Sequence, residues 1–290
     1  MKINRRKVLT LVSMLSISSL LSCGGKDNFS DVIIALPPVL RSDLNYVYYL
    51  STPGQTEKVK DHTNLVWHAQ FYDNNLLEQE LKGNNFDLVL DCAMQLFKRP
   101  DNSVSMTARE DLHLYFTDLS NRGLLQRVKY LTPMDEPNFF VKSEEDLRAA
   151  LQILKEEAKK WTVLSDVKYI CIYGSNNNFM ALEEFDIVGI DDYPQKSEVL
   201  TVGSHAELMR ALLPHQQVMV IPGAAYGQDP AAFVAYAHST PQVWGVVPFI
   251  WAHVPASADK EGWVGLENQS EEAKEVYRNA GLLTLNKLKK

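Results

Sequence analysis

The chain has 290 residues, of which 46% are hydrophobic and 22% charged, a composition typical of a folded globular protein rather than a disordered one. Lys and Arg number 29 against 36 Asp and Glu, so the formal net charge is −7. This acidic balance argues against nucleic acid as the main partner, because phosphate binding needs clustered cationic side chains. The three cysteines include no Cys-x-x-Cys pair and no two histidines are closely spaced, so we expect no metal site.

The N-terminus has the pattern of an export signal. Four basic residues precede an apolar stretch, Val8–Leu21, that is too short to span a bilayer comfortably. The stretch leads into Leu20-Leu21-Ser22-Cys23, which resembles the lipobox of bacterial lipoproteins, in which the cysteine becomes the acylated N-terminus. The resemblance implies a signal peptide over residues 1–22, a tether over residues 23–30, and a lipid anchor on Cys23 that holds the exported protein at a membrane of the bacterial cell envelope. The alternative is an ordinary signal peptide with an incidental cysteine.

The mature chain has the size of one large domain. Loss of residues 1–22 removes four basic residues and no acidic ones, which leaves a net charge of about −11. Residues 31–290 suffice for a single large core and are close to the length of a (β/α)8 barrel. Cys92 and Cys171 lie in apolar, strand-like runs, so we expect buried free thiols, with a disulfide as the alternative in an oxidising compartment.

Short apolar runs alternate with amphipathic stretches along the mature chain. Eight runs rich in Val, Ile, Tyr or Phe are predicted to be strands buried on both faces, as in a parallel sheet covered by helices. An earlier run, Asp31–Leu36, has the same character, so the identity of the first strand stays open. The eight predicted strands are Tyr46–Leu50, Leu65–Phe71, Phe86–Asp91, Val128–Met134, Lys168–Tyr173, Asp186–Asp191, Gln217–Ile221 and Val243–Trp251.

Helix signals separate several of these strands. Ser143, Ser204 and Ser270 are predicted to cap helices, and Asp229-Pro230 to start another. The alternation of strand and helix predicts a parallel sheet, and eight strands favour a closed barrel over an open sheet. No glycine-rich dinucleotide or phosphate loop follows a strand, so we expect no cofactor. The predicted fold is therefore α/β, a single (β/α)8 TIM barrel over residues 31–290.

Polar and aromatic residues gather at the predicted strand ends, where (β/α)8 barrels carry their functional groups. They are the types that a sugar site needs, with acids for proton transfer, rings for stacking, and amides and histidines for hydroxyl recognition. They are Trp67, His68 and Gln70 after the second strand, Asp135, Glu136 and Asn138 after the fourth, Asp191, Asp192 and Tyr193 after the sixth, and Trp251 and His253 after the eighth. Asp91, which ends the third strand, is a weaker candidate of the same kind.

Three of these segments resemble strands of glycoside hydrolases of the Asn-Glu-Pro type. Val128–Asn138 is similar to their fourth strand, Phe185–Pro194 to their sixth and Val243–Trp251 to their eighth. The resemblance implies that Glu136 is the general acid/base, that Tyr193 lies beside the reaction centre, and that Trp251 forms the floor of a sugar subsite. Independently of it, a glutamate shielded by aromatic rings has its ionised form disfavoured, as a proton donor at neutral pH requires.

The chain departs from the family pattern at two positions. Asp135 stands where the family has Asn, and an ionised aspartate cannot donate a hydrogen bond to a sugar hydroxyl. The seventh strand, Val218–Ala225, ends without the family's nucleophilic glutamate, so the candidates for a second carboxylate are Asp192 and Asp191. We therefore expect hydrolysis of O-glycosidic bonds in a glycan. The alternative is a degenerate barrel that binds carbohydrate or another envelope component without turnover.

Each motif also has a purely structural interpretation. Asp135-Glu136-Pro137 would suit the start of a helix, and Asp191-Asp192-Tyr193-Pro194 would suit a turn. The tryptophans would then be core residues, and the histidines would be surface residues or hydrogen-bonded core residues. These alternatives concern Trp67, Trp251, His68 and His253.

Overall fold

The computed structural model describes residues 39–50, 55–68, 74–192, 203–250 and 264–287. Eight parallel strands in this part of the chain form a closed barrel in sequential order, and the first strand closes the ring against the last. This confirms the predicted (β/α)8 architecture. The strands are β1 (Asn45–Leu50), β2 (Leu65–His68), β3 (Asp87–Asp91), β4 (Val128–Thr132), β5 (Lys168–Gly174), β6 (Ile187–Asp191), β7 (Gln217–Val220) and β8 (Val243–Val246).

Helices surround the barrel, and a short antiparallel ribbon, Phe97–Lys98 with Ser103–Val104, follows the third of them. The long helices occupy the outside of the ring, where they cover the outward faces of the strands. Within the described ranges the α-helices are α1 (Thr56–Val59), α2 (Asn74–Leu81), α3 (Ala93–Leu96), α4 (Ala108–Asn121), α5 (Pro137–Phe140), α6 (Glu144–Ala158), α7 (Gly203–Ala211), α8 (Ala231–Ser239) and α9 (Glu271–Thr284).

Two of the predicted helix caps are confirmed and one is wrong. The Ser143 hydroxyl accepts the amide of Asp146 at 3.1 Å, and the Ser270 hydroxyl accepts the amide of Ala273 at 3.2 Å, so both satisfy a free N–H of the first turn. Ser204 does not cap α7, because the helix already begins at Gly203. The Ser204 hydroxyl instead donates to the carbonyl of Ser175 at 3.3 Å.

Alternate side chains of the strands enter two separate apolar layers. The outward set packs under the helices. The inward set fills the barrel, and at Gly189 the Met219 side chain occupies the space of the missing side chain, since a Cβ there would lie 2.3 Å from Met219 Cγ. The interior is therefore a packed core. Its members are Val47, Leu65, Trp67, Val89, Ile170, Ile172, Ile187, Met219, Ile221, Trp244 and Val247.

The structure identifies the first barrel strand and the state of two cysteines, whereas the N-terminal segment lies outside the residues it describes. Because Asn45–Leu50 pairs with both β2 and β8, it is the first barrel strand. Cys92 and Cys171 are buried free thiols. The signal peptide, the tether, Cys23 and Asp31–Leu36 lie outside the described residues. Among the helices that the structure does describe, none is long and apolar enough to cross a bilayer.

Candidate functional site

The inward positions turn polar at the carboxyl end of the barrel. We call this end the mouth and define it by Tyr49, Asp91, Asp135, Glu136 and Asp191. The Tyr49 hydroxyl donates to Asp135 Oδ2 at 3.4 Å. Tyr49 belongs to β1 and Asp135 follows β4, so this contact reaches across the ring rather than between neighbouring strands. It shows that the residue before Glu136 is directed over the barrel axis.

Backbone contacts fix the turn that carries Asp135 and Glu136. The Glu136 amide donates to the Ile172 carbonyl of β5 at 3.0 Å. Glu136 has φ 48° and ψ 54°, in the left-handed region, and it makes no side-chain cap to α5. The conformation is unfavourable for a residue with a Cβ, and such strain is concentrated at functional sites. Glu136 therefore does not act as a capping residue of the helix that follows it.

Asp91 lies at the end of β3 in the inward phase set by Val89. It is 0% exposed. Its Oδ1 accepts the amide of Ala93 at 2.8 Å, whereas its Oδ2 has no hydrogen-bond partner among the described residues. The same holds for Asp135 Oδ1. The mouth therefore contains carboxyl oxygens that the described part of the protein leaves unsatisfied, which is costly unless the group is protonated or meets a ligand.

Burial dominates the ionisation of the mouth. It raises the pKa of Asp91 to about 7 and that of Asp135 to about 6. Burial, followed by the charge of Asp135, raises the pKa of Glu136 to about 7. Burial also raises the pKa of Tyr49, and the charges of Asp135, Asp91 and Asp191 add to this, which places all three acids near one phenol. Glu136 can therefore hold a proton near neutral pH, as a general acid must.

The two candidates for the second carboxylate, Asp191 and Asp192, lie on opposite faces of the chain at the end of β6. Asp191 continues the inward alternation of Ile187 and Gly189, and its charge reaches Tyr49. Asp192 is one residue further on and is buried. Its Oδ2 lies 3.8 Å from the position that a Cβ of Gly203 would take, at the start of α7. Asp191 is thus the better placed of the two for chemistry in the mouth.

Trp67 and His68 take opposite sides of β2. Trp67 is inward and fully buried, and it stacks on Tyr49 with ring centroids 5.8 Å apart. It therefore supports the floor of the mouth from below. His68 has the opposite phase, and its Nε2 lies 3.4 Å from Asn74 Oδ1 at the start of α2. Burial lowers the pKa of His68 to about 4, so it is neutral at physiological pH and belongs to the helical layer.

Asn138 joins the β4 loop to the end of β5. Its Oδ1 accepts the amide of Gly174 at 2.8 Å, and its Nδ2 donates to the carbonyl of the same residue at 2.9 Å. It also contacts Asn176. Both ends of the amide are therefore engaged with the protein, so Asn138 positions the loop rather than offering its amide to a ligand.

The remaining predicted site residues, Gln70, Tyr193, Trp251 and His253, lie outside the described residues and stay predictions. Tyr49 was missed by the sequence analysis, because a tyrosine inside an apolar strand looks like a core residue. Its position two residues after inward-facing Val47 is the signal that could have identified it. No group of three His, Cys, Asp or Glu side chains within the described ranges is arranged to hold a metal ion.

Comparison with solved structures relates this barrel to those of glycoside hydrolases. The β-glucuronidase of Faecalibacterium prausnitzii superposes with a TM-score of 0.60 at 13% identity, over 83% of this chain and 49% of its own. A β-glucuronidase from an uncultured Clostridium gives a TM-score of 0.55 at 13% identity, over 84% and 50%. A GH2 β-galacturonidase of Eisenbergiella tayi, bound to galacturonate, gives a TM-score of 0.53 at 10% identity, over 83% and 51%.

These similarities establish the fold, at identities too low to transfer an activity. The chain spans about half the length of each of these enzymes. No protein-family profile matches the chain, and no curated protein sequence matches it. The neighbours are therefore large enzymes that contain a barrel of this kind, and the function of the present barrel has to be argued from its own mouth.

Proposed function

We propose that this protein is a glycosidase-like barrel that acts on O-glycosidic bonds, with Glu136 as the proton donor. The observation that carries the proposal is the partly buried Glu136 at the end of β4, whose pKa is raised to about 7 by burial and by Asp135. The resemblance of Val128–Asn138 to the fourth strand of the Asn-Glu-Pro hydrolases supports the same role. The solved neighbours, which are named β-glucuronidases and a β-galacturonidase, favour β-linked substrates.

In the proposed reaction, the protonated Glu136 carboxyl gives its proton to the glycosidic oxygen as the bond to the anomeric carbon breaks. Asp191 accepts a proton from the water that attacks this carbon. Glu136 then takes up a proton from solvent and Asp191 releases one to solvent, which restores both groups. Asp191 takes the second role because it faces the mouth, and because the β7 exit, Ile221-Pro222-Gly223-Ala224, carries no acid. Tyr49, stacked on Trp67, forms the aromatic floor.

The test is hydrolysis of a panel of β-linked disaccharides and aryl β-glycosides of neutral, amino and uronic sugars by protein that lacks residues 1–23. We expect turnover of at least one class, and Glu136→Gln should reduce it by about 10²–10⁴-fold for substrates with sugar leaving groups. Glu145→Gln, a change in the first turn of α6, is the matched control and should leave the rate unchanged. Turnover that is indifferent to Glu136→Gln would contradict the assignment.

A barrel that binds glycan without cleaving it is the second candidate. The missing acid at the end of β7 favours it, because retaining enzymes need a second carboxylate as nucleophile. Isothermal titration calorimetry separates the two functions. Saturable binding of a disaccharide with no product after prolonged incubation, in both the parent protein and the Glu136→Gln variant, would select the binding function.

We also propose that the protein is exported and anchored through Cys23. The support is the order of basic residues, apolar stretch and lipobox in the sequence. Expression of the full chain with labelled palmitate should give a labelled, membrane-associated product, and Cys23→Ala should release it from the membrane fraction. Membrane association that survives Cys23→Ala would contradict the anchor.

A further inference from the structure

A half-exposed aromatic ring lies beside the proposed proton donor. Phe139 is three residues after Glu136 in α5, and 50% of its surface is exposed. The Phe139 amide donates to the Glu136 carbonyl at 2.9 Å, so one tight turn carries both residues. Exposed phenylalanine is unfavourable in water, and its position next to a candidate catalytic group raises the question of what covers it.

The ring of Phe139 lies over the last residue of β5. A Cβ on Gly174 would be 1.9 Å from Phe139 Cε2 and 2.3 Å from Cδ2, so the ring occupies the space that a side chain at position 174 would take. Gly174 shares the inward phase of Ile170 and Ile172, and it pairs in register with Asp191. Its missing side chain would point into the mouth. The ring therefore borders the mouth, between Glu136 and Asp191.

Asn138 holds this arrangement in place. Its two hydrogen bonds to the backbone of Gly174, at 2.8 and 2.9 Å, tie the start of α5 to the end of β5. The backbone thus fixes the residue that carries the ring, the ring packs on Gly174, and half of the surface of Phe139 stays exposed and accessible to a ligand. A ring that is held before binding loses little conformational entropy when a sugar stacks on it.

We infer that Phe139 is the platform for the sugar on the leaving-group side of the scissile bond. The inference rests on the proposed glycosidase-like function. A general acid protonates the departing oxygen, so the departing sugar has to lie on the Glu136 side of the mouth. Among the described residues, Phe139 has an exposed ring next to Glu136 that also borders the inward face of the strands. The ligand at this position is a pyranose, whose apolar face stacks on the ring.

The experiment compares ligands with and without a leaving-group sugar in the Glu136→Gln background, which prevents turnover. Cellobiose, lactose, N,N′-diacetylchitobiose and hyalobiuronic acid are each paired with the methyl β-glycoside of their non-reducing sugar, and dissociation constants are measured by calorimetry. Phe139→Ala should weaken binding of the recognised disaccharide by about tenfold, the loss expected for one stacking contact. It should leave the paired methyl glycoside unchanged.

Phe140→Ala is the matched control. Phe140 is in the same helix and 49% exposed, but the three atoms nearest to a Cβ on Gly174 all belong to Phe139, so both ligands should bind as before. Phe139→Leu keeps an apolar side chain over Gly174 and should lose the disaccharide preference without a change in Tm. Equal weakening of both ligands, or of neither, would overturn the platform while leaving the sugar site intact. Failure of every probe to bind the parent protein would refute the proposed function and the platform together.

Discussion

Glu157 in α6 and Asp91 at the mouth are both completely buried carboxylates, yet their surroundings shift their pKa values in opposite directions. Burial acts to raise the pKa of Glu157, but hydrogen bonds from Lys160, His113 and Trp161 outweigh it, so the pKa is lowered. Lys160 Nζ lies 2.5 Å from Glu157 Oε2, and His113 Nδ1 lies 2.9 Å from Oε1. Glu157 is therefore an ionised group that links α4 to α6.

Asp91 has one backbone amide for a partner and a fully buried Oδ2 that makes no hydrogen bond to a described residue. Burial raises its pKa to about 7 against the effect of the Ala93 amide, and the charge of Asp135, which adds to the rise, outweighs the opposing charge of Arg99. The difference shows what each region is built for. The helical layer pairs its buried acid and gains stability, whereas Asp91 Oδ2 and Asp135 Oδ1 have no hydrogen-bond partner among the described residues, and burial keeps both acids protonatable near neutral pH, as a site for proton transfer requires.

The largest effect on stability should come from the paired acid. Glu157→Ala should lower the free energy of unfolding by about 3 kcal/mol at pH 7, because the hydrogen bonds from Lys160, His113 and Trp161 to the ionised carboxylate are lost. The contribution of a lowered pKa is present above the unfolded value and disappears as the pH falls through the folded value, so the loss should shrink in acid. Urea unfolding of Glu157→Ala and of Glu156→Ala, its partly exposed neighbour in an ion pair with Arg109, measures this. An equal effect of the two changes would contradict the assigned role of the pair.

The contribution of Asp91 to stability should change with pH in the opposite direction to that of Glu157. Asp91 has a raised pKa, so the folded protein loses stability as the pH rises from about 4, where unfolded aspartate ionises, to about 7. Asp91→Asn keeps the acceptor for Ala93 and removes the charge, and it should stabilise the fold by about 2 kcal/mol at pH 8. The gain should vanish near pH 4. A destabilised variant at pH 8 would show that Asp91 is paired in the folded protein.

A smaller gain in stability is expected when the left-handed backbone conformation at position 136 is relieved. Glycine adopts the left-handed region without the Cβ penalty, so Glu136→Gly should be more stable than Glu136→Ala by about 1 kcal/mol. Both variants lack the carboxyl group, so their difference in thermal unfolding isolates the backbone term. Equal melting temperatures would indicate that the turn relaxes and that no strain is held at this position.

The smallest effect concerns the charge that Asp135 exerts on its neighbour. The alkaline limb of kcat/KM should reflect loss of the Glu136 proton, and Asp135→Asn should move this limb to lower pH, because a negative charge that raises the pKa of Glu136 is removed. Tyr49→Phe, which removes the hydrogen-bond donor to Asp135 but no charge, is the comparison variant. A limb that moves to higher pH in Asp135→Asn would contradict the electrostatic account.

Much of the fold could be predicted because its signals are local. All eight barrel strands coincide with apolar runs, and the serines before α6 and α9 are read as caps in the sequence and act as caps in the structure. Helix α4 was not predicted, although Thr107-Ala-Arg-Glu110 has the pattern of a capping box and acids occupy the first turn, and in the structure Thr107 makes no side-chain cap. The cap predicted at Ser204 is wrong because a serine in the first turn of a helix has the same sequence pattern as a capping serine just before it.

The site was predictable in position more than in chemistry. The rule that function lies at strand ends located Asp135, Glu136 and Asp191. To decide which acids can take part in catalysis, one has to know which side chains face the mouth and how deeply they are buried. The first depends on the phase of each strand, and the second depends on residues that are distant in the sequence. Asp91 therefore looked like a weak candidate, although its buried, unsatisfied oxygen makes it one of the most perturbed groups of the mouth.

The claim on which the account depends is that the folded protein holds a proton on Glu136 near neutral pH. Carbon-13 NMR of protein labelled at the glutamate carboxyl carbons measures this without a substrate, and Glu136→Gln assigns the signal. We predict one glutamate resonance that titrates near pH 7 and is absent from the variant. If the resonance lost in Glu136→Gln titrates at or below the usual glutamate range, Glu136 is an ordinary ionised carboxylate and cannot be the proton donor of the mouth.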